Sequence, residues 1–307
     1  MRNNIGFKKA KKNKNDEFYT QLIDIEKELK NYKNQFKDKI IYCNCDDPLV
    51  SNFYKYFVDN FEQLGIKKVI SSCYKENTKG FYYIYNGRNK KHPNINDVIH
   101  FKENGDFRSD ECIELLKQSD MVITNPPFSL FREHLKQIID YNKDFLLIAN
   151  INAITYKYVY ELMLENKVWL GINMGRGISG FIIPDHYDLY GTEARIDDNG
   201  DRIVSTNNAL WLTNLDNFKR HEFLELDKRY KGNEENYPKY DNFNGIHIDK
   251  VKNIPKDYNG AMGVPITFLN KYNPEQFEII KFRKGDDGKD LKYNGKYPYV
   301  RVLIKKK

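Results

Sequence analysis

The sequence predicts an α/β fold built on a doubly wound, mostly parallel sheet. Apolar runs with strand character alternate with segments of helical periodicity through the first half of the chain. Such alternation is typical of parallel strands joined by right-handed crossovers. The 307 residues suffice for one large domain or two smaller ones, each with its own core.

Charge and periodicity predict the N-terminal elements. Residues 1–14 hold five lysines and little apolar surface, which indicates a flexible basic arm, either a solvated tail or a contact for nucleic-acid phosphates. Apolar side chains then recur every three or four residues over residues 22–36. This spacing predicts an amphipathic helix, with Asp16 as its cap.

Strands and helices alternate through the following segments. Strands are predicted at residues 39–45, 67–73, 82–85, 97–101, 120–124 and 145–149, and helices at residues 52–64, 110–118, 130–141 and 156–165. Gly65 ends the first of these helices, and Ser129 caps the third. After about residue 151 the pattern is less regular, and strand-like pieces at residues 168–172, 181–183 and 209–212 are expected to complete the sheet. Residues 228–259 predict long loops or an extended surface segment, and residues 297–304 predict a last strand.

Composition and charge limit the possible functions. Lysine and arginine number 50 against 43 acidic residues, and the formal net charge of +7 permits a polyanionic partner. The 23 tyrosines and 19 phenylalanines lie among lysines and asparagines, a mixture that suits stacking on bases, although an A/T-rich genome produces the same bias. No apolar stretch approaches the roughly 20 residues of a membrane span, and no hydrophobic segment follows the basic N-terminus. A cytoplasmic protein is therefore expected.

The cysteines and histidines do not have the spacing of a metal site. Cys43 and Cys45 are separated by one residue, whereas a zinc-chelating turn separates its cysteines by about two to four. The six histidines show no pair at helical spacing beside such cysteines. Reduced thiols and no metal are therefore expected.

The most informative stretch is the tetrapeptide Asn125-Pro126-Pro127-Phe128, which follows the apolar strand at residues 120–124. Proline fixes its own φ and restricts the residue before it, so the backbone of Asn125 and Pro126 is constrained. The Asn125 side-chain oxygen and the Pro126 carbonyl can each accept a hydrogen from an exocyclic amine, while Phe128 offers a ring face for stacking. Oriented acceptors of this kind stabilise positive charge that develops on the amine. The tetrapeptide therefore predicts a cradle for a flat, amine-bearing molecule such as adenine.

A second polar segment, Asp46-Asp47-Pro48, follows the strand at residues 39–45. In open α/β sheets, ligands bind beyond the carboxyl ends of the strands, where the strand order reverses. If the strands before Asp46 and Asn125 are neighbours, the carboxylates and the carboxamide face one crevice. One side of it would hold a cofactor and the other a substrate.

Four separated segments together resemble the adenine-specific DNA methyltransferases that use S-adenosylmethionine, and within them the EcoRI-type modification methylases. Two are general signatures of amino-methyltransferases, namely residues 14–20 (KNDEFYT) and the tetrapeptide at Asn125. The narrower group is indicated by residues 42–48 (YCNCDDP) and by residues 262–269 (MGVPITFL) with 271–274 (KYNP). The resemblance implies a Rossmann-like methyltransferase catalytic domain over residues 15–186. Residues 187–307 would then complete the sheet and form a loop-rich region that recognises the DNA target.

The resemblance also assigns roles to individual residues. It implies that the tetrapeptide holds the target base, and that Phe18, Tyr19 and Thr20 border the methionine end of the cofactor. The further cofactor contacts that it implies are Cys45, Asp46, Asp47, Pro48, Asp106 and Phe107, with either Asp46 or Asp47 as the main acidic contact and the last two beside the cofactor adenine. Two features depart from the family pattern. Cys-Asp-Asp-Pro stands where a glycine-rich turn is usual, and residues 69–74 lack the carboxylate expected to hold the ribose, so the ribose contact is left open.

The order of the segments resembles the arrangement called gamma in this family, in which the target-reading part comes last. Basic residues of that part can meet phosphates or guanine edges, and the candidate DNA contacts are Arg195, Arg202, Arg220, Lys228, Arg229 and Lys231. The implied function is methyl transfer to N6 of an adenine flipped out of duplex DNA. The enzyme would serve a restriction-modification system, separately from any cognate restriction endonuclease, or would be a phage or orphan methylase. Two alternatives remain open: a methyltransferase of RNA or of a protein amide, and a catalytically idle DNA-binding protein.

Overall fold

The computed structural model describes residues 18–191, 193–204, 208–283, 291–298 and 300–307. The predicted basic arm at residues 1–14 and the predicted cap Asp16 lie outside these residues. The α-helices are α1 (Leu22–Leu29), α2 (Asn52–Asp59), α3 (Phe61–Leu64), α4 (Asp110–Gln118), α5 (Phe131–Asp140) and α6 (Lys157–Leu164). The strands are β1 (Tyr19–Thr20), β2 (Ile40–Cys43), β3 (Lys68–Cys73), β4 (Phe81–Tyr85), β5 (Ile99–His100), β6 (Met121–Thr124), β7 (Asp144–Asn150), β8 (Trp169–Met174), β9 (Phe181–Ile183), β10 (Arg195–Ile196), β11 (Arg202–Val204), β12 (Ala209–Thr213), β13 (Gly245–His247), β14 (Ala261–Pro265), β15 (Phe277–Arg283) and β16 (Arg301–Lys306).

The largest sheet has eight strands in the order β5-β4-β3-β2-β6-β7-β12-β8. Its centre is parallel, since β2 pairs in parallel with β3 and β6, and β6 with β7. Towards the edges β4, β5 and β12 each pair antiparallel with a neighbour. The α/β class is confirmed, but the sheet is mixed. The prediction of a mostly parallel sheet holds for its centre and is wrong for β4, β5 and β12. A parallel connection needs about a dozen residues or more, and residues 74–80 between β3 and β4 are too few for one.

The order of the central strands places the reversal of the sheet between β2 and β6. From β2 the chain first adds β3 on one side and later adds β6 on the other. Both strands are apolar, and Ile41, Tyr42, Val122 and Ile123 are completely buried. The polar residues that follow them are thereby held at one edge of a rigid core.

The predicted helix at residues 22–36 is shorter than its periodicity suggested. Helix α1 ends at Leu29, and a separate 3-10 turn follows at Lys33–Gln35. The Asn31 side chain donates to the carbonyl oxygens of Lys27 and Glu28, at 3.1 and 2.8 Å. Such side-chain bonds satisfy the free carbonyls of a helix end and compete with its continuation.

Several other element boundaries differ from the predictions. The helix at residues 52–64 is interrupted at Asn60, and Gly65 ends it in the left-handed conformation with φ 62°. Ser129 does not cap a helix, because it lies in a 3-10 turn and Leu130 occupies the cap position of α5 without a side-chain cap bond. The strand predicted at residues 97–101 is reduced to Ile99–His100. The last strand begins at Arg301 instead of residue 297.

A second sheet, in the order β1-β9-β11-β10, is antiparallel throughout. Tyr19 and Thr20 of β1 pair with Ile182 and Phe181 of β9. The prediction that residues 181–183 complete the main sheet is therefore wrong, because the N-terminal segment competes for them. This pairing brings two segments together that lie far apart in the sequence.

The chain forms two compact units. The first reaches Ala153 and resumes over Gly171–Leu215, and the second comprises Ile154–Leu170 and Asp216–Lys307. The second unit has its own sheet in the order β13-β14-β16-β15, with Val264 of β14 and Leu303 of β16 buried in its core. Residues 228–259 are largely loops, as predicted, with the short strand β13 and two 3-10 turns. The division at residue 187 into a catalytic domain and a DNA-recognition region stays a prediction.

Within the ranges that the structure describes, no helix is long and apolar enough to cross a lipid bilayer.

Candidate active site

Polar residues gather where β2 and β6 end. The two strands are parallel neighbours, with Ile41 opposite Met121 and Tyr42 opposite Val122. Their carboxyl ends therefore lie side by side at the reversal point of the sheet, where ligands bind in open α/β folds. Asp46 follows β2 and Asn125 follows β6, so the neighbourhood expected from the sequence is present.

The carboxamide of Asn125 has a fixed orientation. Its Nδ2 donates to the main-chain oxygen of Phe18 at 2.6 Å. Because only the nitrogen of an amide can donate to a carbonyl, this bond settles which end is which. The Oδ1 atom is buried and has no hydrogen-bond partner among the described residues. This acceptor, at the carboxyl end of β6, is therefore available to a hydrogen-bond donor of a ligand.

Backbone constraints hold the rest of the tetrapeptide. Pro127 has φ −58°, within the range that its ring imposes, and its oxygen accepts from the Leu130 amide at 3.0 Å. Pro126 is buried, whereas Phe128 is partly exposed. The turn that follows Asn125 is thus rigid on one side and leaves an aromatic ring accessible on the other.

Three phenylalanines pack together beside Asn125. The ring centroids of Phe18 and Phe128 are 5.8 Å apart, and Phe181 lies 6.1 Å from Phe18 and 6.2 Å from Phe128. Sequence reasoning missed Phe181, because no motif surrounds it and only the pairing of β1 with β9 brings it here. These distances are those of tilted and edge-to-face pairs, which stabilise one another.

The N-terminal segment that was predicted to contact the cofactor forms one wall of the site. Phe18 contacts Asn125 directly, and Tyr19 and Thr20 form β1. The Thr20 carbonyl accepts from Asn52 Nδ2 at 2.9 Å. Its Oγ1 is buried and, within the described ranges, has no hydrogen-bond partner. Thr20 Oγ1 and Asn125 Oδ1 are thus two unpaired buried oxygens at the positions assigned to ligands.

The Asp46 carboxylate lies inside this edge of the sheet, with 8% of the residue exposed. Oδ1 accepts from Ser51 Oγ at 2.7 Å, and Oδ2 accepts a very short bond from Thr124 Oγ1. Burial raises the pKa of Asp46 to about 6, although the bonds from Thr124, Ser51 and the Asn125 amide oppose the rise. Both oxygens of this carboxylate therefore already accept hydrogen bonds from the protein.

The other residues of this segment have different surroundings. Asp47 Oδ2 pairs with Lys75 Nζ at 3.0 Å, and Oδ1 accepts from the Leu49 amide at 2.9 Å. The Cys45 amide donates to Thr124 Oγ1 at 3.2 Å, and Pro48 is buried. Asp47 is the more accessible of the two carboxylates.

Asp106 and Phe107 follow a close approach of Gly105 to the end of β3. A Cβ on Gly105 would lie 2.5 Å from the Cys73 oxygen, so this approach requires glycine. Arg108 donates to both oxygens of Asp106, at 2.9 and 2.7 Å, and lowers the pKa of that carboxyl. The buried Phe107 ring packs on His134 at 5.1 Å. The pair lies in a defined structure, not a free surface turn, but its carboxylate already has a cationic partner.

The six basic residues predicted to contact DNA fall into two groups. Three have partners within the protein: Arg195 donates to the Ser179 oxygen, Arg202 to the Tyr187 oxygen, and Arg220 to Asn166 Oδ1. The Arg220 guanidinium also lies 3.4 Å from the centroid of the Trp169 ring. It is therefore the weakest of the six as a DNA contact.

The other three, Lys228, Arg229 and Lys231, are exposed on one loop. Asp257 fixes this loop by accepting from the amides of Tyr230 and Lys231, at 2.6 and 3.3 Å. The loop therefore presents three cations from a held backbone.

No group of three or more His, Cys, Asp or Glu side chains in the described part of the chain is arranged to hold a metal ion. The expectation that the reaction uses no metal stays a prediction.

The fold is of the mixed α/β class, with polar residues gathered where the parallel strands β2 and β6 end. The family model described as "Adenine-specific methyltransferase EcoRI" matches residues 6–307. The chain therefore belongs to the EcoRI family of adenine-specific methyltransferases, as the sequence motifs suggested.

Three curated relatives cover nearly the whole chain. It is 62% identical to the type II methyltransferase M.EcoRI of Escherichia coli, over 97% of this chain and 95% of that protein. It is 40% identical to the type II methyltransferase M.MgeORF184P of Mycoplasma genitalium and 35% identical to M.MpnI of Mycoplasma pneumoniae, over 98% of both chains in each comparison. No solved structure gives a significant match.

Proposed function

We propose that this methyltransferase acts on duplex DNA and transfers the methyl group of S-adenosylmethionine to N6 of an adenine flipped out of the stack. The observation that carries the proposal is the Asn125 carboxamide, whose nitrogen is bound to the Phe18 oxygen and whose own oxygen is unpaired. An acceptor fixed in this way suits an exocyclic amine, which has two hydrogens to donate.

The tetrapeptide would activate the amine by orienting it. Asn125 Oδ1 and the Pro126 oxygen accept its two hydrogens, and this geometry draws the nitrogen lone pair out of conjugation with the ring. Phe128, partly exposed beside Phe18 and Phe181, stacks on the base and offsets part of the cost of unstacking it from the duplex. Fixed acceptors also stabilise the positive charge that develops on the nitrogen, without reorganisation during the reaction.

The residues at the edge of the sheet fit a cationic cofactor. Phe18, Tyr19 and Thr20 would border it on one side, and Asp47 would meet its ammonium group on the other, while Phe107 and the Asp106 main chain would lie beside its adenine. The unpaired Thr20 Oγ1 supports a polar ligand there. When bound, S-adenosylmethionine supplies an electrophilic methyl group, which the substrate nitrogen takes up with loss of one proton. The place of the site at the strand reversal supports the Rossmann-like, doubly wound description of the fold.

The DNA would be bound with the help of the second unit. Its loop with Lys228, Arg229 and Lys231 has the exposed charge that phosphate contacts need. We propose that residues 187–307 contain the target-recognition region, and that the enzyme is the modification partner of a separately acting restriction endonuclease. An enzyme that acts on cellular DNA would be located in the cytoplasm.

A transfer assay with labelled S-adenosylmethionine tests the proposal and its alternatives together. Plasmid DNA, total RNA and a protein mixture are offered in parallel, and the labelled product is digested and identified. The proposal requires label in DNA, on N6 of adenine. Label in RNA or protein alone would support the other acceptors, and absence of transfer to any of them would support a catalytically idle protein.

A further inference from the structure

Asp46 forms hydrogen bonds with several elements around the active site, which a residue that only bound the cofactor would not need. Its carboxylate accepts from Ser51, which caps helix α2, and from Thr124 at the end of β6. The main-chain amide of Asn125, the residue after Thr124, also lowers the pKa of this carboxylate. One side chain therefore joins the end of β2 to the residue that carries the proposed catalytic acceptor.

The main chain of Asp46 is fixed as firmly as its side chain. Its amide donates to the Ser72 oxygen at 3.0 Å, and its own oxygen accepts from Ser71 Oγ at 2.5 Å. Both serines are completely buried in β3. Asp46 thus links β2 and β3 to the start of the loop that follows β6.

We infer that Asp46 is a positioning residue for methyl transfer, which holds the main chain at Thr124 and Asn125, and that Asp47 is the carboxylate that meets the cofactor. The inference rests on the proposed function. Asp46 is buried and both of its carboxylate oxygens accept from hydroxyls of the protein, whereas the Asp47 side chain is 13% exposed and its partner Lys75 is 42% exposed. A cofactor ammonium can reach the second carboxylate at lower cost than the first.

The charges around Asp46 make its role dependent on pH. Asp47 raises the pKa of Asp46, and Asp47 is itself paired with Lys75 at 3.0 Å. Cys43 and Cys45 also face Asp46, and their thiols stay neutral because burial and the Asp46 charge both raise their pKa. The other groups packed against the carboxylate, at Ser51 and Thr124, are uncharged.

The ionised and protonated forms of Asp46 should have opposite effects on activity and on stability. The pKa of Asp46 is raised from 3.8 to about 6, so its contribution to folding stability is present below about pH 4 and lost as pH rises through about 6. We expect the reaction to need the ionised carboxylate, because only this form accepts from Ser51 with one oxygen and from Thr124 with the other. Activity should therefore fall as pH decreases through about 6, where the fold gains stability from this group.

Two matched substitutions separate positioning from cofactor binding. For Asp46→Asn we expect a fall in kcat of about 10²-fold, because a small displacement of a reacting group has that effect, with a cofactor Kd that changes less than about threefold. For Asp47→Asn we expect the reverse pattern, a weaker cofactor Kd with kcat largely kept. A weakened cofactor Kd with normal kcat in Asp46→Asn would overturn the inference.

A third variant tests the role of Asp46 even if Asp46→Asn folds poorly. Thr124→Val keeps the shape of a buried side chain and removes one donor that lowers the pKa of Asp46. We expect the acidic limb of the kcat profile, measured on duplex DNA, to move to higher pH. An unmoved limb would contradict the inference, whereas a wild-type protein without any transfer to DNA would contradict the proposed function instead.

Discussion

Replacement of Asn125 by alanine should separate activity from stability. Asn125→Ala removes the unpaired Oδ1 together with the Nδ2 bond to the Phe18 oxygen. Loss of one oriented group at a site of developing charge lowers kcat by about 10²- to 10³-fold, or about 3–4 kcal/mol. We expect a loss of this size in the first turnover on duplex DNA.

The expected change in stability is small, because two contributions oppose each other. The bond at 2.6 Å between Nδ2 and the Phe18 oxygen contributes about 1 kcal/mol to folding. A buried oxygen without a partner costs about 1–3 kcal/mol, and the substitution removes that cost. The free energy of unfolding should therefore stay unchanged or increase slightly.

Single-turnover transfer with labelled cofactor measures the first effect, and denaturant unfolding measures the second. Asn96→Ala, at an exposed position before β5, is the matched control and should leave both unchanged. Activity of Asn125→Ala within tenfold of the wild type would show that the Asn125 oxygen is not a catalytic acceptor. A large loss of stability would also contradict the prediction, since the low activity would then reflect misfolding.

Four further variants test the stacking, the packing of the first unit and the DNA contact. Phe128→Ala should weaken capture of a flipped base by about 1–3 kcal/mol, measured as fluorescence of 2-aminopurine at the target position; unchanged fluorescence would speak against stacking. Glu28→Ala leaves the amides of residues 172 and 173 without their buried acceptor and should destabilise the first unit by about 3 kcal/mol or more in urea unfolding, whereas a loss below about 1 kcal/mol would contradict this estimate. Burial raises the pKa of Glu28, so the stability it contributes decreases as pH rises above its ordinary range, and Glu28→Gln should remove this slope. Simultaneous replacement of Lys228, Arg229 and Lys231 by alanine should reduce the salt dependence of DNA binding by about 2 to 3 in log–log slope, and an unchanged slope would exclude the loop as a phosphate contact.

The sequence predicted the centre of the site because local rules act there. Two prolines constrain the backbone after Asn125, and apolar strands lead into both Asn125 and Asp46. Strand alternation sufficed to place both at one edge of a sheet. The antiparallel pairing of β4 with β3 was missed, although the short connection between the strands predicted at residues 67–73 and 82–85 already excludes a parallel crossover.

The contacts that refine the site are not local and could not be read from the sequence. Phe181 reaches the site only because β1 pairs with β9. The hydrogen bond from the Thr124 hydroxyl to the Asp46 carboxylate forms only because the strands before these residues are neighbours. Arg220 looked like any other surface cation, yet Trp169 and Asn166 hold it within the second unit.

Sequencing of DNA from cells that express this chain identifies the modified base and its sequence context. We expect N6-methyladenine at one fixed sequence context in those cells, and its absence in cells that express Asn125→Ala at the same level. DNA without N6-methyladenine in the presence of the wild-type chain would contradict the account, as would equal methylation in the presence of the variant.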